Sequence, residues 1–261
     1  MKKLLVLMLA IVMVFACFAG CGAEKAKVVV AEKESAGEEV AQTLEGYTYT
    51  AVDTQAKALM EVSSGTADAA IVDYVMSIGS IGEGTDYENL KVEGTGFNEE
   101  NYGIAFRKGS DLTAKVNEAI KALKDNGKLA EIAKKYKLED IVTATESFYA
   151  LKQAETDSEW AYVQGNGKLI IGITYFAPMN YKDDNGELIG FETEFAKAVC
   201  QVLGIDAEFQ EISWAAKETE LAAKNIDCIW NGMTITEERA TNMSISIPYM
   251  QNKQVKVVKA N

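Results

Sequence analysis

Arginine is scarce in this chain, so the position of each arginine is a useful clue to where an anion could bind. The 261 residues include two arginines, Arg107 and Arg239, and no histidine. A planar guanidinium can hold both oxygens of a carboxylate at once. The lack of histidine excludes Ser-His-Asp and Cys-His hydrolases and histidine-based zinc sites. Acid–base chemistry in this chain would therefore rest on carboxylates, lysine and tyrosine.

Asp73 is the first candidate for contacting a ligand. It directly follows Asp68–Val72, a short apolar run that predicts a buried strand. Ligands of α/β sheets bind beyond the carboxyl ends of the strands, where such a side chain would lie. An aspartate in this position also serves as an ordinary helix cap. The sequence alone leaves both interpretations open.

The composition describes a globular, acidic protein. Hydrophobic residues make up 48% of the chain, enough for packed cores, and the formal net charge is −13. A surface this acidic repels nucleic acid and anionic lipid headgroups. We therefore expect no nucleic-acid partner, and the residues indicate no cofactor and no metal site.

The amino terminus is typical of a secretory signal. Lys2 and Lys3 precede an apolar run over 4–18, and small residues then lead to Cys21. The order Phe-Ala-Gly-Cys at 18–21 resembles a bacterial lipobox, which implies cleavage before Cys21, lipidation of Cys21 and anchoring to the membrane outside the cytoplasm. Val-Phe-Ala-Cys at 14–17 is a weaker match. The alternative is plain secretion with an incidental cysteine.

Two cysteines remain beyond the signal, Cys200 and Cys228. Cys200 lies on the apolar face of a predicted helix, and Cys228 lies in a predicted buried strand. A disulfide is compatible with an oxidising compartment. We favour two separately buried thiols.

Apolar β-rich runs alternate with amphipathic segments, which predicts βαβ units and largely parallel sheets. The pattern occurs twice, separated by a polar stretch over 137–166. Asp-Asn-Gly at 184–186 is a hairpin signal. The predicted strands are Lys27–Ala31, Tyr47–Val52, Asp68–Val72, Leu90–Glu93, Asn101–Arg107, Leu169–Thr174, Ala207–Ile212, Ile226–Trp230 and Gln254–Lys259. The predicted helices include Gly37–Leu44, Thr54–Val62, Thr193–Leu203, Lys217–Lys224 and a long helix capped by Ser110.

Several short motifs occur together in the second half of the chain. They are Gly-Ile-Thr-Tyr-Phe-Ala-Pro-Met-Asn-Tyr at 172–181, Gly-Phe-Glu-Thr-Glu at 190–194, Asn-Gly-Met-Thr-Ile-Thr-Glu-Glu-Arg at 231–239 and Ile-Pro-Tyr at 247–249. In the first half, the stretches at 35–38, 66–73 and 102–105 fit the same pattern. Together they resemble the bacterial polar amino-acid-binding proteins of ABC transporters, solute-binding protein family 3.

The resemblance implies a two-lobed, periplasmic-binding-protein-like (type II) α/β fold, each lobe a mostly parallel sheet flanked by helices. The order of the motifs is rotated, as in a circular permutation, which leaves only the segment around Asn101–Phe106 to link the lobes. A misassembled or engineered gene is an alternative. The expected regions are a signal peptide at 1–21, lobe 2 at 27–100, an inter-lobe hinge at 101–107, helices packing on lobe 1 at 108–136, a connector at 137–166, lobe 1 at 167–250 and a terminal hinge strand at 251–261.

The resemblance also implies a site for a free amino acid. Arg239 matches the carboxylate-binding arginine, and Asp73 takes the ammonium. Gly232 contributes a backbone carbonyl and Thr234 a hydroxyl. Ser35 and Ala36, at the start of a helix, direct N–H groups at the carboxylate. Glu34 stands where the family prefers glycine, and its charge is expected to crowd an anion.

Aromatic side chains complete the implied site. Phe176 and Trp214 match the two walls that enclose the ligand side chain, although aromatic residues are more often core. Trp230 is assigned to packing. Asn180 and Tyr181 are candidate selectors. Since no further charge is clearly directed at the ligand side chain, we favour a polar or sulfur-containing amino acid.

The expected function is therefore capture of a polar amino acid for an ABC importer by a monomeric binding protein. Its partners would be the amino acid, a transporter permease and, through the lipid, the membrane. The alternatives are a dehydratase-like enzyme on the same scaffold, an extracellular sensor and an inactive rearranged relative. Release of the ligand unchanged distinguishes a binding protein from an enzyme.

Overall fold

Strands rich in valine, isoleucine and alanine alternate with short helices through most of the chain. A computed structural model describes residues 26–97, 99–143 and 159–260. The strands are β1 (Lys27–Glu32), β2 (Tyr47–Val52), β3 (Ala69–Asp73), β4 (Leu90–Glu93), β5 (Glu99–Arg107), β6 (Lys168–Ile173), β7 (Tyr181–Lys182), β8 (Leu188–Ile189), β9 (Asp206–Glu211), β10 (Cys228–Thr234), β11 (Met243–Ile245) and β12 (Met250–Lys259).

The helices are short, and most bury one apolar face. They are α1 (Ala36–Thr43), α2 (Gln55–Ser64), α3 (Tyr74–Ser80), α4 (Leu112–Asp125), α5 (Lys128–Lys135), α6 (Glu159–Asn166), α7 (Phe191–Leu203), α8 (Lys217–Ala222) and α9 (Glu237–Asn242), with a 3₁₀ turn at Trp214–Ala216 before α8. Among the described residues, no helix combines the length and apolar character needed to cross a bilayer.

Lobe 2 is built on the strands β1 to β4. Parallel pairing places β1 between β2 and β3. The second half of β12 runs antiparallel between β3 and β4. All five residues of β3 are buried, as expected for a strand covered on both faces. Asp73 is the last of them and therefore lies at the carboxyl edge of the sheet.

Lobe 1 is built on the later strands. Parallel pairing places β6 between β9 and β10, and β10 pairs antiparallel with β5. The shorter β11 and the first half of β12 also pair with β5. The helices α4, α5 and α7 pack together on this lobe. The predicted α/β class is thus confirmed, but the pairing is mixed rather than mostly parallel, because β5, β11 and β12 run antiparallel to their neighbours.

The last strand, β12, belongs to both lobes. Met250–Lys253 pairs with β5, and Gln254–Lys259 pairs with β3 and β4. The expectation that only the segment around Asn101–Phe106 links the lobes is therefore wrong. The sequence pattern identifies β12 as a strand, but its pairing partners are remote in the chain and cannot be read from it.

Several element boundaries differ from the predictions. The sequence does not predict helix α3, because it follows β3 without a break in apolar character. Helix α7 begins at Phe191, two residues before the predicted start, since Gly190 at φ 127° turns the chain directly into the helix. Cys21 and the stretch 144–158 lie outside the described residues.

Both described cysteines are buried and unpaired, as favoured from the sequence. Burial raises the pKa of the Cys200 thiol to about 12 and raises that of Cys228 well above its ordinary value. These thiols are therefore protonated and inert. Trp230, 1% exposed, packs edge-on against Phe195 in the core of lobe 1, which confirms its assignment to packing.

Candidate functional site

Asp73 is a buried carboxylate held by amide groups. Its oxygens accept hydrogen bonds from Gln55 of α2 and from Asn252 and Gln254 of β12, the last two at 2.7 and 2.6 Å. Burial raises the pKa of Asp73, and these amide donors oppose the rise. Among the described residues no lysine or arginine forms an ion pair with Asp73. Asp73 is therefore fixed in place by neutral amide donors and has no cationic partner among the described residues.

Glu100 lies on β5 and Asp73 lies on β3, and β12 runs between these two strands. Asn252 and Gln254 donate to Glu100 as well as to Asp73, and Gln254 Nε2 is 2.7 Å from Glu100 Oε1. Burial, then the charge of Asp73, raises the pKa of Glu100 to about 7. Two carboxyl groups thus share two amide side chains where β12 passes between the lobes.

Glu32, at the end of β1, is a third buried carboxyl group. It is 4% exposed, and within the described chain its Oε1 has no hydrogen-bond partner. Burial, then the charge of Asp73, raises its pKa to about 8, while Lys217 acts in the opposite direction. An unpartnered carboxyl oxygen in the interior is costly, so Glu32 favours the presence of a donor or cation.

Arg239 is buried without an acidic partner. It lies in the first turn of α9, and its Nη1 donates to the Thr234 carbonyl at 2.8 Å. Its Nη2 donates to the Glu34 carbonyl of lobe 2 at 3.4 Å. No carboxylate of the described residues lies within ion-pair distance of it, and burial lowers its pKa.

Arg107 shows the opposite arrangement. It is ion-paired with Glu159 and, at 3.3 Å, with Asp227, and it donates to two backbone carbonyls. This guanidinium is fully used in holding β5 to neighbouring elements. Of the two arginines, Arg239 therefore remains for a ligand.

Lys217 is a second buried cation near Arg239, and the sequence analysis did not single it out. It begins α8 and is 4% exposed. Its Nζ donates to the Glu34 carbonyl at 3.2 Å and lies 4.8 Å from the centre of the Trp214 ring. Burial, then the charge of Arg239, lowers its pKa to about 8. The spacing of four to Leu221 places Lys217 on the inward face of the helix, which was the available signal.

Glu34, the residue of lobe 2 that contacts Lys217 and Arg239, lies in the loop before α1. Glu34 adopts φ 61°, a left-handed conformation that favours glycine, and its side chain is exposed. The expected crowding of an anion by the Glu34 carboxylate is not supported by this position. Glu34 instead presents its main-chain carbonyl to lobe 1.

Ser35 caps α1 and is used within lobe 2. Its hydroxyl accepts from the Glu38 N–H at 3.1 Å and donates to the Glu32 carbonyl at 2.7 Å, to which its N–H also donates at 3.3 Å. The predicted donation from Ser35 to a ligand is therefore not supported. Ala36 opens the helix, so its N–H belongs to the first-turn groups that lack intrahelical partners.

Phe176 and Gly232 lie against each other in lobe 1. Gly232 adopts φ 58°, and a Cβ there would come within 3.0 Å of the Phe176 ring and 3.2 Å of Tyr102. Its N–H donates to Glu192 at 2.8 Å. Phe176 and Trp214 are both 5% exposed. Thr234 is also buried, and its carbonyl accepts a hydrogen bond from Arg239 Nη1.

Asn180 and Tyr181, the two predicted ligand selectors, lie in different surroundings. Asn180 is fully buried, donates to Glu192 at 2.7 Å and to Asn231 at 3.1 Å, and accepts from Thr193 at 2.9 Å. Both N–H groups of its side-chain amide therefore donate to residues inside lobe 1, and neither is left for a ligand. Tyr181 belongs to the small β7–β8 hairpin.

The structure thus brings Asp73, Glu100 and Glu32 together on one side and Arg239 and Lys217 on the other. Glu34 is the point at which the cations of lobe 1 contact lobe 2. No group of histidine, cysteine and acidic residues in the described part of the chain could hold a metal ion. The site can chemically offer separate places for an anion and a cation.

The sequence is similar to known binding proteins over its second half. Residues 169–261 match the family of bacterial extracellular solute-binding proteins, family 3. The L-cystine-binding protein TcyJ of Escherichia coli (strain K12) is 34% identical over 88 residues, 33% of each chain. A probable amino-acid ABC transporter-binding protein of Haemophilus influenzae is 35% identical over 86 residues, 33% of this chain and 34% of its own.

A solved structure gives a similar result. A polar amino acid ABC uptake transporter substrate-binding protein from Streptococcus thermophilus is 39% identical, over 37% of this chain and 36% of its own, with a TM-score of 0.32. This chain spans about a third of the length of the curated relatives it matches, 33% in TcyJ and 34% in the Haemophilus influenzae protein.

Proposed function

We propose that the whole chain captures a free amino acid between its two lobes, on the premise that residues 169–261 match the family of bacterial extracellular solute-binding proteins, family 3. The observation that carries the proposal is a pair of unmatched buried charges. Arg239 of lobe 1 has no acidic partner among the described residues, and Asp73 of lobe 2 has no cationic one. An unpaired charge in the interior costs several kcal/mol, which a ligand carrying both charges would offset.

The proposed ligand is an α-amino acid. Its carboxylate binds Arg239 and the N–H of Ala36, and its ammonium binds Asp73, with Thr234 and the Gly232 carbonyl as further partners. Phe176 and Trp214 contact its side chain. The names of the two curated relatives, one of which specifies cystine, support an amino acid without specifying which one this chain binds.

Delivery to an ABC importer is the second part of the proposal. It is supported by the Haemophilus influenzae relative, whose name assigns it to an amino-acid ABC transporter. A lipid on Cys21 would keep the protein at the outer side of the membrane. The mass of the mature amino-terminal residue tests the lipid directly.

The order of the lobes supports a circular permutation. Lobe 2 precedes lobe 1 in the chain, and β12 then returns to lobe 2. We place the hinge where β5 and β12 pass between the lobes, with 137–166 joining helices that pack on lobe 1. Binding of the zwitterion favours lobe closure because it contacts both sides.

Calorimetry with the twenty standard L-amino acids and L-cystine tests the function. We expect the native chain to bind at least one of them and to release it unchanged. Arg239→Ala should weaken binding about a hundredfold or more, since a buried carboxylate loses its charged partner. Its melting temperature should stay the same or rise, because a desolvated cation is removed.

Glu238→Ala is the matched control, because Glu238 is exposed in the same turn of α9. This variant should bind like the native chain. Equal affinity of the Arg239→Ala and native proteins would refute the assignment of Arg239, and the absence of binding to all the amino acids tested would refute the function.

A further inference from the structure

Lys217 is a buried cation that has no ion-pair partner among the described residues, although its ammonium lies over the Trp214 ring. Its ammonium is buried, and its described hydrogen-bond partners are two main-chain carbonyls, those of Glu34 at 3.2 Å and Trp214 at 3.4 Å. Carbonyl oxygens accept hydrogen bonds but do not neutralise a charge. A buried lysine is normally either paired or deprotonated.

Arg239 and Lys217 converge on the same oxygen. The Glu34 carbonyl lies 3.2 Å from Lys217 Nζ and 3.4 Å from Arg239 Nη2, so both cations reach a single acceptor position. Two like charges this close repel each other, which is why the charge of Arg239 helps to lower the pKa of Lys217. An anion placed between them would remove that repulsion.

We propose that Lys217 and Arg239 form a two-cation clamp that binds the single α-carboxylate of the ligand. The inference rests on the proposed function and adds Lys217 as a binding residue. Arg239 contributes a fixed pair of donors, and Lys217 contributes a compact charge to the same anionic group. The Glu34 carbonyl holds both cations in position from lobe 2, so the clamp is complete only when the lobes meet.

The charges around Lys217 define how the clamp responds to pH. The groups that act on it are Arg239 of α9, Glu218 of its own helix, and Glu34 and Glu32 of lobe 2. In the empty site its pKa is about 8. A bound carboxylate favours the charged form, so ligand binding above pH 8 must be accompanied by uptake of a proton.

The test compares the native chain with Lys217→Met and a control, Lys115→Met, by calorimetry against the twenty standard L-amino acids and L-cystine. The side chain of Lys115 is 42% exposed on α4. We expect Lys217→Met to bind the preferred amino acid at least tenfold more weakly and Lys115→Met to bind within twofold of native. A melting temperature at or above the native value shows that Lys217→Met is folded.

Proton uptake provides a second readout that requires no variant. At pH 8.5, in buffers of different ionisation enthalpy, the native chain should take up a substantial fraction of a proton per amino acid bound. Lys217→Met should lose this uptake. Native affinity in Lys217→Met overturns the clamp while leaving the proposed function intact. If Lys217→Met does not fold, Lys217→Gln takes its place, with the same expected and contradicting results.

A failure of the proposed amino-acid binding can be distinguished experimentally from a failure of the clamp. If the native chain binds none of the amino acids in the panel, both the function and the clamp are refuted. If it binds one of them but not more weakly after Lys217→Met, only the clamp is refuted.

Discussion

Glu32 illustrates how a single buried carboxyl group links this site to stability. Its pKa is about 8 in the folded protein, against 4.5 ordinarily. The folded state therefore holds a proton that the unfolded state releases between those pH values. By linkage, the contribution of Glu32 to stability is fully present below pH 4.5 and is lost as the pH rises through 8.

We therefore predict that Glu32→Gln changes the pH dependence of stability. At about pH 5 the variant and the native chain should have similar free energies of unfolding, because both side chains are neutral. At about pH 8.5 the variant should be more stable by about 3 kcal/mol, since it avoids a buried negative charge. Urea denaturation of the ligand-free protein at both pH values measures the difference.

Glu45→Gln is the control for this prediction, because Glu45 is exposed before β2. It should leave the pH dependence unchanged. A difference between Glu32→Gln and native that is the same at both pH values would contradict the raised pKa.

The sequence identified some residues of the site and missed others for a physical reason. Asp73 and Arg239 stand in recognisable motifs, and Asp73 also ends a buried strand. Glu100, Glu32 and Lys217 are ordinary charged residues in strands and a short helix. Whether such a side chain faces solvent or the space between two lobes depends on tertiary packing, which periodicity does not encode.

At the scale of elements, helix α3 of lobe 2 packs closely against the turn before β7 of lobe 1. A Cβ on Gly79 of α3 would come within 2.8 Å of the ring of Pro178 and 2.9 Å of the Ala177 backbone. Gly79 thus permits a close backbone approach between lobe 2 and lobe 1. No side chain could be added there without separating the two surfaces.

We predict that Gly79→Ala weakens amino-acid binding about tenfold by opposing closure. It should not lower the melting temperature of the ligand-free protein by more than a few degrees, because alanine favours a helix and each lobe keeps its own core. Calorimetry and a thermal scan of the same sample separate the two effects.

Gly165→Ala provides the comparison. Gly165 lies in α6, and an added Cβ would meet nothing within 4 Å. This variant should bind normally. If Gly79→Ala also binds normally, the contact between α3 and Pro178 does not limit closure.

The elements most accurately predicted are those with a clear period and clear ends. The β1 to β3 region and α7 have apolar residues at regular spacing, and Gly204 ends α7 in a left-handed conformation. Helix α3 lacks such signals. Its residues after Asp73 continue the apolar run of β3, so no change of period marks its start.

At the scale of the whole molecule, β12 makes each lobe depend on the other. Its second half lies between β3 and β4, so lobe 2 contains a strand contributed from the far end of the chain. Contacts of this kind join residues that are remote in the sequence, as the pairing of Asp73 with Gln254 illustrates. The resemblance implied a terminal hinge strand at 251–261, but the sequence could not predict that this strand pairs with β3, β4 and β5.

Removal of residues 254–261 should therefore unfold lobe 2 selectively. The sheet would lose the strand between β3 and β4, and Asp73 would lose the Gln254 amide. We expect limited proteolysis to cleave within 27–97 at rates at least tenfold above those of the native chain. Cleavage sites in lobe 1 should appear later.

Removal of residue 261 alone is the control and should leave the proteolytic pattern unchanged. Equal protection of both lobes after the longer deletion would show that lobe 2 does not need β12.

The register of β12 has a consequence for how occupancy of the site could be sensed. Lys253 is its last residue paired with β5 at Glu99, and Gln254 is its first paired with β3, at Asp73 itself. The strand therefore passes from one lobe to the other immediately beside Asp73, the residue proposed to bind the ammonium group of the ligand. A ligand ammonium group bound at Asp73 would therefore act directly on β12, the strand that joins the two lobes.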